Sequence, residues 1–504
     1  MFTVVQGVAL RGLQGYRVGV EADLGQGLPS FEIVGLPASS VREAKERVRS
    51  AVTNSGFTWP RRRIVVNLTP SDWRKDGTGL DLPIAMAILV ASEQIPPLSP
   101  EISFLGELAL DGGIRSYRGL WTAMISATEL GAKYLIVPVG SDLRLPVHLD
   151  CEILMAPSLT WAIRSARKEA IYTPPPRVEK LEGEEPSEQV DMNEVAGQDA
   201  VKRAIEVAAA GHHHILLTGH PGAGKSMLAE RLPTLLPRLT PEQALAVRQI
   251  YSVAGLESIC PTESPPFRTP HYSGSLQGLL GGGQIPTPGE VSLAHHGVLF
   301  LDEFPEFSRA SLEALRQPLE TRSITLSRSA YHYTFPADFQ MVAAMNPCPC
   351  GYLNSQSGRE CTCEHRQIER YRAKLSGPIL DRIDMTVWVD ALDMKSILTA
   401  PVAQKESSSV IRKRVVAARQ FRAERTLHNH DTDGSARTPA QVLSSLSIDQ
   451  AARTLLLSCA DKASLSARSL FKVARVARTI ADLSQEANVS TEHVAEAMQY
   501  RFYQ

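Results

Sequence analysis

Gly219-His220-Pro221-Gly222-Ala223-Gly224-Lys225-Ser226 follows the apolar run Ile215-Leu216-Leu217 and precedes Met227-Leu228-Ala229-Glu230-Arg231-Leu232. A buried strand, a glycine-rich turn and a helix start stand here in the order a phosphate-binding loop requires. Without side chains in the way, the loop's backbone N–H groups can converge on nucleotide phosphates. Lys225 would reach the β- and γ-phosphates, and the Ser226 hydroxyl would hold Mg²⁺. The alternative, a chance match, has to satisfy every one of these positions between a strand and a helix. The stretch therefore predicts an α/β chain that binds a nucleoside triphosphate.

The surrounding composition is that of a globular protein. The 504 residues suffice for two to four domains, and 21% charged with 43% apolar residues is ordinary usage. With a formal net charge of -1, nucleic-acid contact must come from local patches rather than a global basic field. No apolar run reaches the length of a membrane span, and MFTVVQGVALRGL lacks a charged-then-apolar leader, so a cytoplasmic location is expected. Cys151, Cys260 and Cys459 are scattered, whereas Cys348, Cys350, Cys361 and Cys363 cluster. In a reducing compartment such a cluster points to metal rather than disulfides.

Upstream of the loop, Tyr16-Arg17-Val18-Gly19-Val20 and Phe31-Glu32-Ile33-Val34-Gly35 read as strands. Residues 39–55 read as a helix, with Val41, Ala44, Val48, Ala51 and Val52 on one face and Arg42, Lys45, Arg47 and Arg49 on the other. Arg61-Arg62-Arg63 feeds the strand Ile64-Val65-Val66-Asn67-Leu68; these arginines are either phosphate contacts or plain solvated surface. The stretches 74–87, including Gly77-Thr78-Gly79-Leu80-Asp81, and 104–115, Phe104-Leu105-Gly106-Glu107-Leu108 onward, resemble the proteolytic domain of Lon-type proteases. That α+β, ribosomal S5-like fold uses a serine activated by a lysine. Gly79 stands where the serine is expected, and the lysine region reads Arg115-Ser116-Tyr117-Arg118. Arginine stays protonated and cannot serve as the base. The resemblance implies a Lon-like domain over 1–170 that lacks the catalytic serine and acts as a structural or interaction platform.

A connector that is proline-rich and then acidic, 171–190, separates this domain from the nucleotide core. In that core, Val298-Leu299-Phe300-Leu301-Asp302-Glu303 reads as a buried strand ending in two carboxylates, 76 residues after Ser226 (302 minus 226). Asp302 would complete the Mg²⁺ shell and Glu303 would polarise the attacking water. Gln340-Met341-Val342-Ala343-Ala344-Met345-Asn346 is a third strand, ending in asparagine.

Together these motifs resemble the AAA+ ATPases. The resemblance makes Asn346 the sensor 1 residue near the γ-phosphate, and places Gln198 beside the adenine. Residues 322–327 and 330–336 alternate as two hairpin strands. They resemble the extra hairpin of the helicase and magnesium-chelatase branch, whose tip, near Arg328, would grip a nucleic-acid backbone. Ser376-Gly377-Pro378-Ile379-Leu380-Asp381-Arg382 resembles that branch's arginine-finger segment. Arg382 would enter a neighbouring subunit's site, or else form a helix-terminal salt bridge. Residues 267–297, rich in glycine and proline, coincide with the branch's pore-loop insert.

Cys348-Pro349-Cys350-Gly351-Tyr352 and Cys361-Thr362-Cys363 offer four thiolates suited to tetrahedral Zn²⁺, with His365 able to replace one; free thiols are the alternative. Residues 410–425 read as a helix whose basic face holds Arg412, Lys413, Arg414, Arg419, Arg422 and Arg425, either solvated or DNA-binding. Ser464-Leu465-Ser466-Ala467-Arg468-Ser469 resembles the start of a sensor 2 helix, so Arg468 would contact the γ-phosphate in cis. Val473, Val476, Ala477, Ile480 and Leu483 would pack that helix into a small lid domain.

Along nearly its whole length the chain resembles the ComM/YifB family, on GHPGAGKS, GVLFLDE, NPCPCGY and LSGPILDRID. The resemblance implies an AAA+ P-loop core over 191–395 with the hairpin and cysteine cluster, and a helical lid over 396–504. It also implies ATP and Mg²⁺ as cofactors, single-stranded and branched DNA as partners, and a homo-hexameric ring away from membranes. The activity implied is an ATP-dependent helicase that promotes branch migration during natural transformation. Two other readings share parts of the chain: a magnesium chelatase ATPase-type subunit, and an ATP-dependent protein remodelling factor.

Overall fold

The computed structural model describes residues 2–140, 150–170, 172, 190–283, 285–328, 331–354, 359–390, 406–428, 445–462 and 466–501. The connector 171–190, apart from Tyr172 and Val190, and the polar loop 429–438 lie outside them.

The N-terminal part carries strands β1 (Phe2–Arg11), β2 (Gln14–Gly25), β3 (Ser30–Val34), β4 (Arg63–Thr69), β5 (Ile102–Phe104), β6 (Glu107–Leu108), β7 (Ile114–Arg115), β8 (Tyr134–Pro138) and β9 (Glu152–Ala156). They form a mixed seven-stranded sheet in the order β3-β4-β2-β1-β5-β8-β9, with β6 and β7 paired apart. The helix Ser39–Asn54 buries Val41, Ala44, Val48, Ala51 and Val52, as its spacing predicts. The helix Asp81–Ala91 is apolar all round after its first residue and is buried along its whole length, at the centre of this core. Arg47, on the polar face of the first helix, reaches the buried Asp81 at 2.7 Å, so one of the expected surface cations is a core ion pair.

At Gly79 an added Cβ would fall 2.3 Å from Cζ of Tyr117. The tyrosine ring fills the space beside the glycine, and its hydroxyl is buried without a hydrogen-bond partner. Burial pushes that phenol well above its ordinary range.

The second sheet is wholly parallel and consists of β10 (Ile215–Gly219), β11 (Phe267–Arg268), β14 (Val298–Leu301), β17 (Gln340–Met345) and β18 (Met385–Val389), in the order β11-β14-β17-β10-β18. Its strands are near-continuous apolar runs, as burial on both faces demands. β10 lies between β17 and β18, so the turn after Gly219 opens at the C-terminal edge where ligands of open α/β sheets bind. Short strands β12 (Gly281–Gly282) and β13 (Thr287–Pro288) form one hairpin, and β15 (Ser323–Arg328) with β16 (Tyr331–Pro336) forms another.

The helices Ser408–His428, Gln450–Lys462, Ala467–Leu483 and Thr491–Gln499 make up the C-terminal part. Val473, Val476, Ala477 and Ile480 are buried, in the same continuous cluster as Leu217, Leu228 and Val387. The C-terminal helices thus share the core of the parallel sheet rather than owning a separate small one. Their arginines explain part of this. Arg412 donates to Thr234 O at 2.7 Å, Arg419 to Ala209 O at 2.6 Å, and Arg414 bonds Glu206 and Glu406. The basic face expected to meet solvent or DNA is used, at these positions, to clamp the helix onto the core.

The two sheets meet through the helices Leu120–Glu129 and Pro241–Ala254, where Gly119 N donates to Ser252 O at 3.0 Å and Thr122 Oγ1 to Gln249 O at 3.2 Å. Leu10, Leu13, Val253, Tyr333 and Phe335 form a small apolar cluster between them.

Candidate nucleotide site

The loop after β10 turns through Gly222 (φ 76°) and Gly224 (φ 88°), left-handed conformations that glycine adopts without strain. Gly219 is constrained by closeness instead: a Cβ there would fall 2.3 Å from Val389 O of β18. The helix Lys225–Leu235 then starts directly at the loop and aims its N-terminus at the site. Lys225 is 9% exposed. Its Nζ donates to Gly219 O at 2.8 Å, His220 O at 2.9 Å and Asn346 Oδ1 at 3.1 Å. Burial lowers its pKa, opposed by the charge of Asp302.

The parallel register delivers the other groups to the same edge. Leu301 pairs with Ala343, and Thr218 with Met345, so the residues just beyond, Asp302, Gly219 and Asn346, all emerge at the strand ends. Ser226 Oγ donates to Asp302 Oδ2 at 2.8 Å. A hydroxyl and a carboxylate converging beside the phosphate loop are the donor set that a hydrated Mg²⁺ takes, so these two residues fit the ion. Glu303 follows in a left-handed conformation (φ 49°), its backbone N–H bonded to Asp302 Oδ1 at 2.8 Å. That kink turns its exposed carboxylate out of the strand line, toward the solvent from which an attacking water would come.

Two residues of this site make contacts that the sequence does not foretell. Gln198 Nε2 donates to Ala223 O of the loop at 2.8 Å and to Asp390 O at 3.2 Å, while its buried Oε1 has no hydrogen-bond partner among the described residues. His220 Nδ1 stands 2.8 Å from Gly351 O, and its ring meets Trp388 edge-on at 5.2 Å. No sequence signal links position 220 to 351; only the fold brings them together.

Arg382 and Arg468 lie elsewhere. Arg382 immediately precedes β18, at the end where Met385 pairs with Ile215, whereas the phosphate loop leaves the end where Val389 pairs with Gly219. These ends are four residue steps apart (389 minus 385), roughly 13 Å at about 3.3 Å per residue. Both arginines bond Oε1 of Glu320, Arg468 at 3.1 Å. They line one cavity of about 320 Å³ with His214, Asp384 and Lys472. Arg468 is therefore not at its own chain's phosphate loop, which corrects the expectation of a cis contact. Arg382 does make the salt bridge weighed for it, and shares it with Arg468.

The cysteines converge. The four Sγ atoms lie within 4.8 Å of one another, with Cys348–Cys350 at 3.4 Å, Cys350–Cys361 at 3.5 Å and Cys348–Cys361 at 3.7 Å. Tetrahedral zinc with Zn–S of about 2.3 Å places its sulfurs roughly 3.8 Å apart, so the donor set and spacing fit. At Cys350 desolvation opposes ionisation, yet backbone N–H donors from Tyr352 and Thr362 bring the thiol down to about 6. His365 is outside this group, paired instead with Glu369 at 3.6 Å.

In the 267–297 segment, Arg268 bonds Glu290 through two contacts of 2.6 and 2.7 Å, pinning the base of the segment, while residues 271–278 are exposed. Gln284, at the β12–β13 turn, lies outside the described residues. Arg328 ends β15 opposite Tyr331; its side chain lies outside them too. No helix among the described residues is long and apolar enough to cross a membrane.

Three family models match successive parts of the chain. The family described as "Magnesium chelatase, subunit ChlI" matches residues 191–397. "Subunit ChlI of Mg-chelatase" matches 20–141, and "Magnesium chelatase, subunit ChlI C-terminal" matches 405–501. The chain is 39% identical to the YifB protein of Escherichia coli (strain K12) over 504 residues, 99% of this chain and 97% of that protein. It is 37% identical to Competence protein ComM of Haemophilus influenzae over 502 residues, again 99% and 97%. Lon protease 2 of Bacillus subtilis is 26% identical over 234 residues, 41% of this chain and 42% of that protein.

Proposed function

The chain belongs to the ComM/YifB family of magnesium chelatase-like AAA+ ATPases, and from that premise we propose that it is an ATP-driven DNA helicase that moves branched junctions as a hexameric ring. The observation that carries this reading is the division of the site between opposite edges of one sheet. Lys225, Ser226, Asp302, Glu303 and Asn346 gather at one edge, while Arg382 and Arg468 stand together at the other. A single chain cannot bring both sets to one γ-phosphate. Copies stacked head to tail can, and a closed ring of them leaves no half-site over.

In each shared site the backbone of 219–226 binds the phosphates and Lys225 moves from Gly219 O and His220 O onto the β- and γ-oxygens. Ser226 and Asp302 would hold Mg²⁺, which when bound would neutralise charge on the phosphates. Glu303 takes the proton of the attacking water, and Asn346 orients that water or the γ-phosphate. Arg382 and Arg468 of the adjacent copy leave Glu320 and stabilise the charge that develops. The hairpin of β15 and β16, with Arg328 at its tip, and the exposed stretch 271–278 are the elements we assign to the DNA strand.

We divide the chain into a Lon-like platform (1–170), a connector (171–190), an ATPase core (191–395) and a helical lid (396–504). With Gly79 packed against Tyr117, the platform carries no peptidase activity in this reading, and the protein works in the cytoplasm. The four cysteines hold a structural Zn²⁺. What supports the junction role is full-length likeness to a protein named for competence, joined to an ATPase site that needs a ring.

The test is ATP hydrolysis by the purified chain with no DNA, single-stranded DNA, forks and four-way junctions, alongside branch migration of labelled junctions. Stimulation by branched DNA and ATP-dependent junction movement are expected. Hydrolysis without any movement of forks or junctions would sink the helicase reading, and porphyrin-dependent stimulation would favour a chelatase subunit.

A further inference from the structure

We propose that the zinc held by Cys348, Cys350, Cys361 and Cys363 governs nucleotide binding, by bracing the phosphate loop from behind. The proposal rests on the ATP-site reading above and adds a control to it. The turn that carries the first two ligands is in direct contact with the loop. Gly351 N donates to Cys348 O at 3.0 Å and closes the turn, with Gly351 in a left-handed conformation (φ 86°). Gly351 O is 2.8 Å from Nδ1 of His220, the second residue of the phosphate loop. A Cβ on Gly351 would fall 2.6 Å from both Cδ and Cγ of Pro221, the third. One turn therefore fixes two consecutive loop residues, by one hydrogen bond and one packing contact.

The same turn is continuous with the strand that carries Asn346, since Cys348 is two residues further on and fully buried. Asn346 Oδ1 in turn accepts from Lys225 Nζ. The cysteine turn thus meets the loop's entry directly, at His220 and Pro221, and is linked to its last turn only through the neighbouring Asn346, which bonds Lys225.

Residues 359–364 include no buried residue, and Cys361 and Cys363 meet the first pair through sulfur, with Cys350 N donating to Cys363 Sγ at 3.3 Å. Sulfurs packed 3.4–3.7 Å apart repel once ionised unless a cation sits among them. With a divalent thiophilic ion bound, the two segments close on each other and the turn is rigid. Without it, the segment 359–364 has no core of its own, the Cys348–Gly351 turn loosens, and the loop loses the partner of His220.

Zinc content of the purified full-length chain, and cobalt substitution giving the absorption of a tetrahedral thiolate site, test the metal. Binding of a fluorescent ATP analogue to zinc-loaded, chelator-stripped and zinc-restored protein tests the coupling. One zinc per chain is expected. Stripping should weaken nucleotide binding at least tenfold, and zinc should restore it. Gly351→Ala, whose methyl group would collide with Pro221, should keep its zinc while weakening nucleotide binding by a similar factor. Protein without stoichiometric metal, or stripped protein that binds nucleotide unchanged, would overturn the proposal and leave the ATP site standing. Zinc-loaded protein that binds no nucleotide, indistinguishable from Lys225→Ala, would overturn the site reading on which it rests.

Discussion

At the C-terminal edge of the parallel sheet, Lys225 donates to Asn346 and Ser226 to Asp302, beside a loop whose backbone N–H groups suit phosphate oxygens. At the N-terminal edge, Arg382 and Arg468 are drawn onto one half-exposed carboxylate, Glu320, with no phosphate-binding backbone near them. The first edge is organised around a ligand within the chain. The second is organised around a carboxylate, which in the proposed ring stands where a neighbour's phosphate oxygens would. In the proposed reading the two edges are two halves of one site, and this difference is the ground for assembly.

The largest expected effect breaks the comparison at the arginine edge. Arg382→Ala should leave nucleotide binding intact and lower hydrolysis by about 10³–10⁵, the worth of an arginine supplied across an interface. Mixing chains separates the roles of the two arginines. If both act on the neighbour, an Arg382→Ala chain mixed with an Arg468→Ala chain stays inactive, because every interface receives an incomplete pair. Were Arg468 to act in its own chain, half of the mixed interfaces would be complete and activity would return. Lys225→Ala mixed with Arg382→Ala should recover activity in either case, which controls for assembly.

At the other edge, Glu303→Gln removes the base while keeping the shape of the site. Turnover should fall by about 10²–10⁴ with nucleotide retained. Turnover close to that of the unaltered chain would show that the exposed carboxylate after β14 is not the group that activates water.

How far the sequence carried this comparison differs for the two edges. The C-terminal edge was legible because each of its residues follows an apolar run directly: Gly219, Asp302 and Asn346 end strands whose period and burial are written locally. The helix Ser39–Asn54 was legible for the same reason. What the sequence did not give up were relations between distant positions. Glu320 carries no motif, and its role comes only from the approach of residues 382 and 468. The contact of His220 with Gly351 spans 131 positions and has no periodic signature. The arginines at 412, 414 and 419 looked like a solvated face because charge implies exposure on average; here backbone carbonyls and Glu206 supply the partners that allow them to turn inward.

Acid should weaken the arginine edge before the phosphate edge. His214 Nδ1 accepts the backbone N–H of Met341 at 3.0 Å, and His295 Nδ1 that of Asp338 at 3.0 Å, both at the N-terminal ends of the strands. Burial holds each ring neutral, with pKa lowered to about 4 from an ordinary 6.5. The unfolded chain therefore takes up more protons than the folded one between those values, so stability is full above about pH 6.5 and is lost as pH falls toward 4. At pH 5.5 each ring should cost on the order of 1 kcal/mol. Hydrogen exchange at pH 7 and 5.5, corrected for intrinsic rates, should show protection of Met341 and Asp338 falling ahead of the helix Lys225–Leu235. Equal loss at both edges would remove the distinction.

The smallest effect sharpens the comparison most. If Glu320 only holds the arginines until a neighbour's phosphate replaces it, then Glu320→Gln keeps the shape and weakens the hold. The carboxylate is half exposed, so the two ion pairs together contribute no more than about 1 kcal/mol after solvent screening. That predicts a modest shift: the protein concentration giving half-maximal ATPase activity should fall about two- to five-fold, with the plateau rate unchanged. A placeholder affects the equilibrium of assembly and leaves the assembled site alone. A part of the active site would do the reverse, lowering the plateau without moving the midpoint, and Glu320 would then belong to the shared site itself.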